Sequence, residues 1–544
     1  VVLVLLGSIP LLLTPAAFAS AYNARPKLVV VIVIDQFRGD YLERYRDQFG
    51  DGGFRVFLDR GAYFTDCNYD YANTRTAPGH ATLFTGSYTS GHGIVANEWW
   101  DPQKKKRVTS VEDDTTKLVG VGGGKTGPGA SPHNLLSDTL GDELKLATGG
   151  KARVFAISLK DRAAVLPAGF SGDAAYWIDQ KSGDWITSTY YRPDLPEWVR
   201  NFNSSHRAEK YWNREWKDSD GNTLGSTASR SGKDGAPAGF YEIVGSTPFA
   251  NDYQLEFAKE LVLYEKLGTG SVTDLLVISL SANDILGHQV GPDSPQMRGM
   301  ALELDRQLAE FFNFLGHQIG MANVWMALSA DHGVAPLPEF AKTLRLPAAN
   351  LDAKALREQI NSLLSKKYAK KADYVLDLDY PLAWLNEDAF AGIFLGHKES
   401  EDEADAGEAM KQAGLAGYFT KSQLARGETP PTEIGRRYAH SYSPEGGWYV
   451  VGIPSPFLVG ITKGTDHASP FSYDTHVPLA FYGLAFQPGT YRTHAEPVDL
   501  AVTLASLLGI NAPAQATGRV LTEALPPPHH STAASAAPPA GGTQ

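Results

Sequence analysis

Cysteine is almost missing: Cys67 stands alone in 544 residues, which excludes an intrachain disulfide and any zinc cluster built on thiolates. Within Gly61-Ala62-Tyr63-Phe64-Thr65-Asp66-Cys67 it reads as a small packed residue rather than a nucleophile. Basic residues are in deficit. Forty-nine Lys and Arg against 61 Asp and Glu leave a net charge of −12, which argues against nucleic acid or an anionic membrane as a standing partner. An anion site on this chain must therefore create its own local positive field. The apolar stretch Val1 to Leu13 is shorter than the ~20 residues a spanning helix needs, so no membrane span is expected, and there is no internal repeat.

That stretch, broken only by Gly7, Ser8 and Pro10, has the character of a secretory signal over residues 1–21. Ala17-Phe18-Ala19 or Ala19-Ser20-Ala21 would serve as the small-residue cleavage site. No initiating methionine or basic leader precedes it, so the numbering is expected to begin within the signal. Export to a periplasm or beyond follows. At the other end, residues 525–544 are rich in Pro, Ala and Ser and lack the apolar content to order themselves. Residues 22–524 remain as one body, long enough to bury a large core.

Leu28 to Ile34 is an unbroken, mostly β-branched run with no polar alternation, the pattern of a strand buried on both faces of a parallel sheet. Val154 to Ile157, Leu275 to Leu280, Val324 to Leu328 and Leu479 to Tyr482 repeat it. Between them lie helical patterns: Met300, Leu304, Leu308, Phe311, Phe312 and Leu315 share a stripe, and Asp499 to Leu508 closes against Gly509. The alternation predicts an α/β fold, doubly wound, with a mostly parallel central sheet flanked by helices. Two stretches break it, at about 170–270 and 337–460, and are expected to be insertions capping the sheet edge. Gly120 to Gly129 reads as a flexible loop, and the acidic run Glu399 to Glu403 as a solvated surface.

Such folds bind ligands where strands end, and that is where the chemistry gathers. Asp35 follows the first strand. Asp284 and His288, spaced i, i+4 for one side of a helical turn, follow the strand ending at Leu280. Asp331 and His332 follow the strand ending at Leu328, and His467 lies in the loop Gly464 to Pro470. His476, close by, could stand in for His467, but it abuts a buried segment. Six such groups could give three ligands to each of two ions with positions left open, and the mix of carboxylate and imidazole suits Zn²⁺. Any one pair alone would read as a turn or a cap; four strand ends agreeing point to metal.

Asn73-Thr74-Arg75-Thr76-Ala77-Pro78-Gly79-His80 offers a hydroxyl, Thr76, just ahead of Pro78, a good first residue for a helix. Backbone N–H groups there welcome an anion, and a metal would supply the pKa lowering that a threonine nucleophile needs. In Ser158-Leu159-Lys160-Asp161-Arg162, an extended backbone would project Lys160 and Arg162 to one side, where two cations neutralise a dianion. Asn97 adds a neutral donor. His80 is expected to orient the loop. Together these residues point to phosphoryl-group hydrolysis.

The ordered set Asp35, Thr76-Ala77-Pro78-Gly79-His80, Gly93 to Asn97, Ser158 to Arg162, Asp284-x3-His288, Asp331-His332 and Gly464-Thr465-Asp466-His467 resembles the alkaline phosphatase superfamily. It is most similar to the secreted bacterial threonine-nucleophile alkaline phosphatases, from Lys27 to Ala524. The resemblance implies one zinc held by Asp284, His288 and His467, and another held by Asp35, Asp331, His332 and the Thr76 oxygen. It implies Asn97, Lys160 and Arg162 as phosphate-binding groups. Family members often read Gly-Thr-Thr-His where this chain has Asp466, a departure that adds negative charge near the site.

The expected reaction is hydrolysis of small phosphate monoesters, releasing inorganic phosphate through a phosphothreonine. A structural Ca²⁺ beside the zinc pair stays open, and a monomer is compatible with the sequence. A nucleotide pyrophosphatase/phosphodiesterase-like diester hydrolase is the nearest alternative, set apart by the doubly cationic Lys160 and Arg162. A sulfatase is disfavoured because the sole Cys lies away from the nucleophile position. A secreted, zinc-stabilised binding protein without catalysis is opposed by the intact nucleophile and clamp.

Overall fold

The structure is a computed structural model that describes residues 25–121, 127–228, 238–391 and 398–526. The expected signal segment, nearly all of the expected tail and part of the Gly120 to Gly129 loop lie outside the described residues. At the centre is strand β1 (Leu28–Ile34), every residue of which is buried. It pairs in parallel with Asp274–Leu280 on one side and Val324–Ser329 on the other. Aliphatic side chains on both faces leave this strand no solvated side, so helices must cover it twice.

The sheet has eleven strands. In chain order β2 is Ala62–Phe64, β3 Glu112–Val119, β4 Pro128–Ala130, β5 Val154–Ser158, β6 Ala174–Ile178 and β7 Trp185–Ser188. Then come β8 (Asp274–Leu280), β9 (Val324–Ser329), β10 (Leu479–Tyr482) and β11 (Gly489–Tyr491). Their spatial order is β11-β2-β10-β9-β1-β8-β5-β6-β7-β3-β4. The run β9-β1-β8-β5-β6 is parallel throughout. Antiparallel partners β10 and β7 close it on its two sides. The parallel strands end at Ser329, Ile34, Leu280 and Ser158, so the residues that follow them meet along one edge.

The 170–270 stretch corrects the sequence expectation. Its strands β6 and β7 belong to the central sheet, and its helix Pro248–Tyr264 packs on β5 and β8. The signal was hidden because aromatic packing replaces aliphatic runs: Trp185 stacks on Phe257 at 3.9 Å. The helix is buried around most of its circumference, which erases the one-sided stripe that periodicity reads.

Residues 349–453 build a separate layer. Val375–Asp379, Leu382–Leu385, Tyr449–Ile453 and Gly417–Thr420 form a four-stranded antiparallel sheet. Ile360, Leu364, Val375, Met410 and Val450 give it a core of its own. The acidic run is not simply a solvated surface. It opens the helix Glu399–Gln412, whose periodicity turns Asp402 and Glu403 inward. Glu403 accepts from Trp448 Nε1 at 2.9 Å and from the Ser422 N–H at 3.0 Å. Cys67 is buried in the main core, as its neighbours suggest.

Candidate active site

Helix α1 (Thr76–Thr85) begins at Thr76 itself, two residues before Pro78, after an extended Arg75. Thr76 is buried and sits at the first turn, where backbone N–H groups lack helical acceptors. The Ala77 N–H donates to Asn97 Oδ1 at 2.8 Å. That bond uses the acceptor of the Asn97 amide and leaves its nitrogen as the donor. His80 Nδ1 lies 2.8 Å from the Thr76 carbonyl and its Nε2 2.8 Å from Ser279 Oγ, which fixes the turn from below.

Asp35 follows β1, Asp331 and His332 follow β9, and Asp284 and His288 lie on helix α2 (Ala282–Val290), just beyond β8. The His288 Nε2–Asp284 Oδ1 separation is 3.1 Å, on one side of the turn. His467 Nε2 is 3.8 Å from Asp284 Oδ1, and its ring stacks on His332 at 3.7 Å. Two groups converge here, Asp35 with Asp331 and His332, and Asp284 with His332 and His467. A third joins His288, Asp466 and His467, and in each the donor atoms lie within 4.8 Å of one another. His476 is elsewhere, its Nε2 3.0 Å from the Thr65 carbonyl.

Each of the three imidazoles is fixed the same way. His288, His332 and His467 set Nδ1 against the carbonyls of Thr465, Gly333 and Thr74, at 2.8, 2.9 and 2.7 Å. A carbonyl only accepts, so Nδ1 carries a proton and Nε2 is the atom turned to the cluster, as in metal-ligating histidines. Burial holds His332 and His467 below the usual histidine range, His467 further because His332 and His288 stand beside it. Burial opposes protonation of His288, but Asp284 and Asp466 push it up to about 10.

The carboxylates are short of positive partners. Burial, then the facing Asp284 and Asp331, hold the Asp35 carboxyl well above its ordinary range. Burial would raise Asp284 too, but Lys160 and His288 hold it well below. Lys160 Nζ lies 2.6 Å from both Asp35 Oδ2 and Asp284 Oδ2, and 3.4 Å from Thr76 Oγ1. One ammonium thus serves carboxylates of both groups. Asp35 Oδ1, Asp331 Oδ2 and His332 Nε2 are buried with no hydrogen-bond partner. A buried set of acids and neutral imidazoles with orphaned lone pairs fits divalent cations well. Among the described residues, every such group of three or more donors lies at this site.

Three departures from the sequence reading stand out. The Lys160–Arg162 segment is not extended: Lys160 caps a helix, Asp161–Ala168, favoured by an acid in its first turn. Lys160 and Arg162 therefore do not share a face by strand alternation. Arg162 Nη1 stands 3.7 Å from Asp161, with Nε buried and unpartnered. Gln36 was missed altogether. At φ 62° it turns back, donating its N–H to Asp331 Oδ1 at 3.1 Å and Nε2–H to Asp284 Oδ1 at 2.7 Å. Its only sequence signal was adjacency to Asp35. Arg75, also unread, binds Asp379 at 2.6 Å and ties the residue before Thr76 to the 349–453 layer.

The family model for type I phosphodiesterase / nucleotide pyrophosphatase matches residues 29–413. The chain belongs to this family, within the alkaline phosphatase superfamily that its motifs resemble. A protein of Myroides odoratus named calcium-transporting ATPase is 34% identical over 94% of this chain and 96% of its own. Alkaline phosphatase PhoV of Synechococcus elongatus is 34% identical over 92% of this chain and 93% of its own. The crystal structure of wild-type alkaline phosphatase PafA superposes with a TM-score of 0.83 at 31% identity, covering 92% of this chain and 99% of that one. A mutant of PafA, also solved, carries changes at a threonine, an asparagine, a lysine and an arginine. Thr76, Asn97, Lys160 and Arg162 are the same residue types in the same chain order. Among the described residues no helix is long and apolar enough to cross a membrane.

Proposed function

We propose that this family member is an alkaline phosphatase that hydrolyses phosphate monoesters through a phosphothreonine at Thr76. What supports this reading is Lys160 Nζ, which stands 3.4 Å from Thr76 Oγ1 and 2.6 Å from both Asp35 and Asp284, beside the Asn97-bound helix start. The helix start, the Asn97 amide and Lys160 bind the non-bridging oxygens and turn phosphorus toward the hydroxyl. Arg162 joins them as the second cation. A bond forms between Thr76 Oγ1 and phosphorus while the ester P–O bond breaks and the alcohol departs with a proton. Water then attacks phosphorus, the Thr76–phosphorus bond breaks, and inorganic phosphate leaves.

Asp284, His288 and His467 would hold one divalent cation, and Asp35, Asp331, His332 and Thr76 another, zinc in both cases. Bound there, such a pair lowers the pKa of an alcohol or water and offsets charge on the leaving oxygen. His332 and His467 present neutral Nε2 atoms for it, His288 would give up its Nε2 proton on binding, and Gln36 holds Asp284 and Asp331 in place. The N-terminal signal pattern supports a secreted or periplasmic enzyme.

The family model's own description favours a second reading, phosphodiester hydrolysis. Lys160 beside Thr76, with Arg162 two residues on, would suit a dianion, which a diester lacks. Turnover of an aryl phosphate and of its methyl aryl diester by the zinc-loaded protein decides between them. The monoester is expected to have the higher kcat/KM; the reverse order would overturn the assignment.

A further inference from the structure

The strand Val375–Asp379 of the 349–453 layer alternates between two surfaces. Leu378 turns into the core of that layer, and the acids on either side of it, Asp377 and Asp379, face the other way. Each acid holds an arginine that leads to a different part of the site. Asp379 Oδ2 lies 2.6 Å from Arg75 Nη1, and Arg75 Nη2 also donates to the main-chain carbonyls of Asp379, at 3.1 Å, and Tyr380. Arg75 is 6% exposed and is the extended residue from which α1 starts, with Thr76 next in the chain. Asp377 takes Arg107 with both oxygens, at 2.9 and 2.7 Å. Arg107 lies on the strand Lys106–Thr109, whose hairpin partner Glu98–Asp101 follows Asn97 directly. The bond from the Ala77 N–H to Asn97 joins the two branches.

We propose that Arg75 and Asp379 are positioning residues for Thr76, with the strand Val375–Asp379 as the strap that sets the hydroxyl against Asn97. The inference rests on the reading of Thr76 as the nucleophile. An extended joint such as Arg75 cannot turn without turning the first residue of the helix after it. A guanidinium held by three acceptors at fixed places secures that joint more firmly than the point charge of a lysine could. The layer thereby acts on the chemical step through the main chain of Arg75. The Arg107–Asp377 pair is more exposed and is the weaker grip.

The experiment follows single turnover of a ³²P-labelled aryl phosphate by an excess of the zinc-loaded protein, with acid quench and counting of label on the protein. It compares the parent with Arg75→Met, Asp379→Asn and the double variant. The first-order rate constant for labelling does not depend on how much of the protein is folded, so a merely structural role would leave it unmoved. Arg75→Met is expected to lower it about 10–100-fold, the scale of a small misplacement of a reacting group. Asp379→Asn keeps the shape and the two carbonyl acceptors, so its fall is smaller, and in the Arg75→Met background it adds nothing. Zinc content is expected to stay parental; its loss would move the effect to the ligands and overturn the assignment. Parental rate constants in the single variants, or a further loss in the double variant, would overturn the strap alone. A parent that takes up no label would overturn the Thr76 reading and this inference together. If Arg75→Met fails to fold, Asp379→Asn, changed on the partly exposed partner, decides alone.

Discussion

His467 Nδ1 lies 2.7 Å from the carbonyl of Thr74, so the loop that presents Thr76 also aims one of the clustered imidazoles. The joint is reinforced. Thr74 Oγ1 donates to the Ser469 carbonyl at 3.0 Å and accepts the Ser469 N–H at 3.0 Å. Ser469 Oγ in turn donates to Asp474 Oδ2. All of this is buried.

Thr74→Val keeps the shape and strands the buried Ser469 carbonyl, while the Ser469 N–H keeps Asp474 Oδ2 as its acceptor at 3.0 Å. It is expected to cost about 1–3 kcal/mol of stability, read from denaturant unfolding. It should also weaken the affinity of one metal ion, because the loop that carries His467 loses its tether to the Thr74 hydroxyl while the carbonyl brace remains. A variant with parental stability and parental metal affinity would show that the loop is held by other contacts.

Thr76→Ala removes the attacking oxygen and is expected to lower kcat/KM for an aryl phosphate by at least about 10³-fold. Thr76→Ser, which keeps the oxygen, should retain far more. Trapping of ³²P on the parent after acid quench, and its absence from the Ala variant, checks the covalent step. Activity of the Ala variant within tenfold of the parent would refute the nucleophile.

Gly79 is set by packing, since glycine is a poor helix residue. A Cβ there would lie 2.2 Å from the Asp331 carbonyl, a backbone atom that cannot swing away. Gly79→Ala must push α1 off the end of β9 and separate Thr76 from Asp331. Loss of about 1–3 kcal/mol is expected for such overpacking, with activity falling in step. Calorimetry and steady-state kinetics on the same preparation test it.

Glu143 provides a pH dependence remote from the site. Burial, then the adjacent Asp138, push its carboxyl up to about 7, above the ~4.3 of an unfolded chain. The folded state binds this proton more tightly, so its contribution to stability is whole below ~4.3 and is lost as pH rises through about 7. Glu143→Gln, which mimics the protonated acid, should match the parent at pH ~4 and exceed its Tm by roughly 1–3 °C at pH ~8. An equal difference at both pH values would contradict the shift.

Much of the fold was legible because hydrophobic burial writes itself into local runs. Leu28–Ile34 and Leu479–Tyr482 are strands at the boundaries their composition predicts. So is the helix Asp499–Leu508, ended by Gly509 at φ 64°. Where aromatics do the packing, as at Trp185 and Phe257, no run exists to be read. The site was legible at the level of residue type: acids and imidazoles after strand ends are rare enough to be noticed together. What escaped was geometry set over long separations. The reversal at Gln36 reaches Asp284, 248 residues away, and no neighbouring residue advertises it. The helix start at Asp161 redirected Arg162 for a local reason, an acid favoured in the first turn, which strand alternation had overlooked.

Three imidazoles braced by main-chain carbonyls have a consequence for maturation. Their orientation is settled by the folded backbone, so ion uptake resembles filling a finished mould rather than driving collapse of a loose chain. The apoprotein is therefore expected to keep native secondary structure and accept metal quickly, without a slow refolding phase. Delivery of the ions can then come last, wherever the chain first meets them.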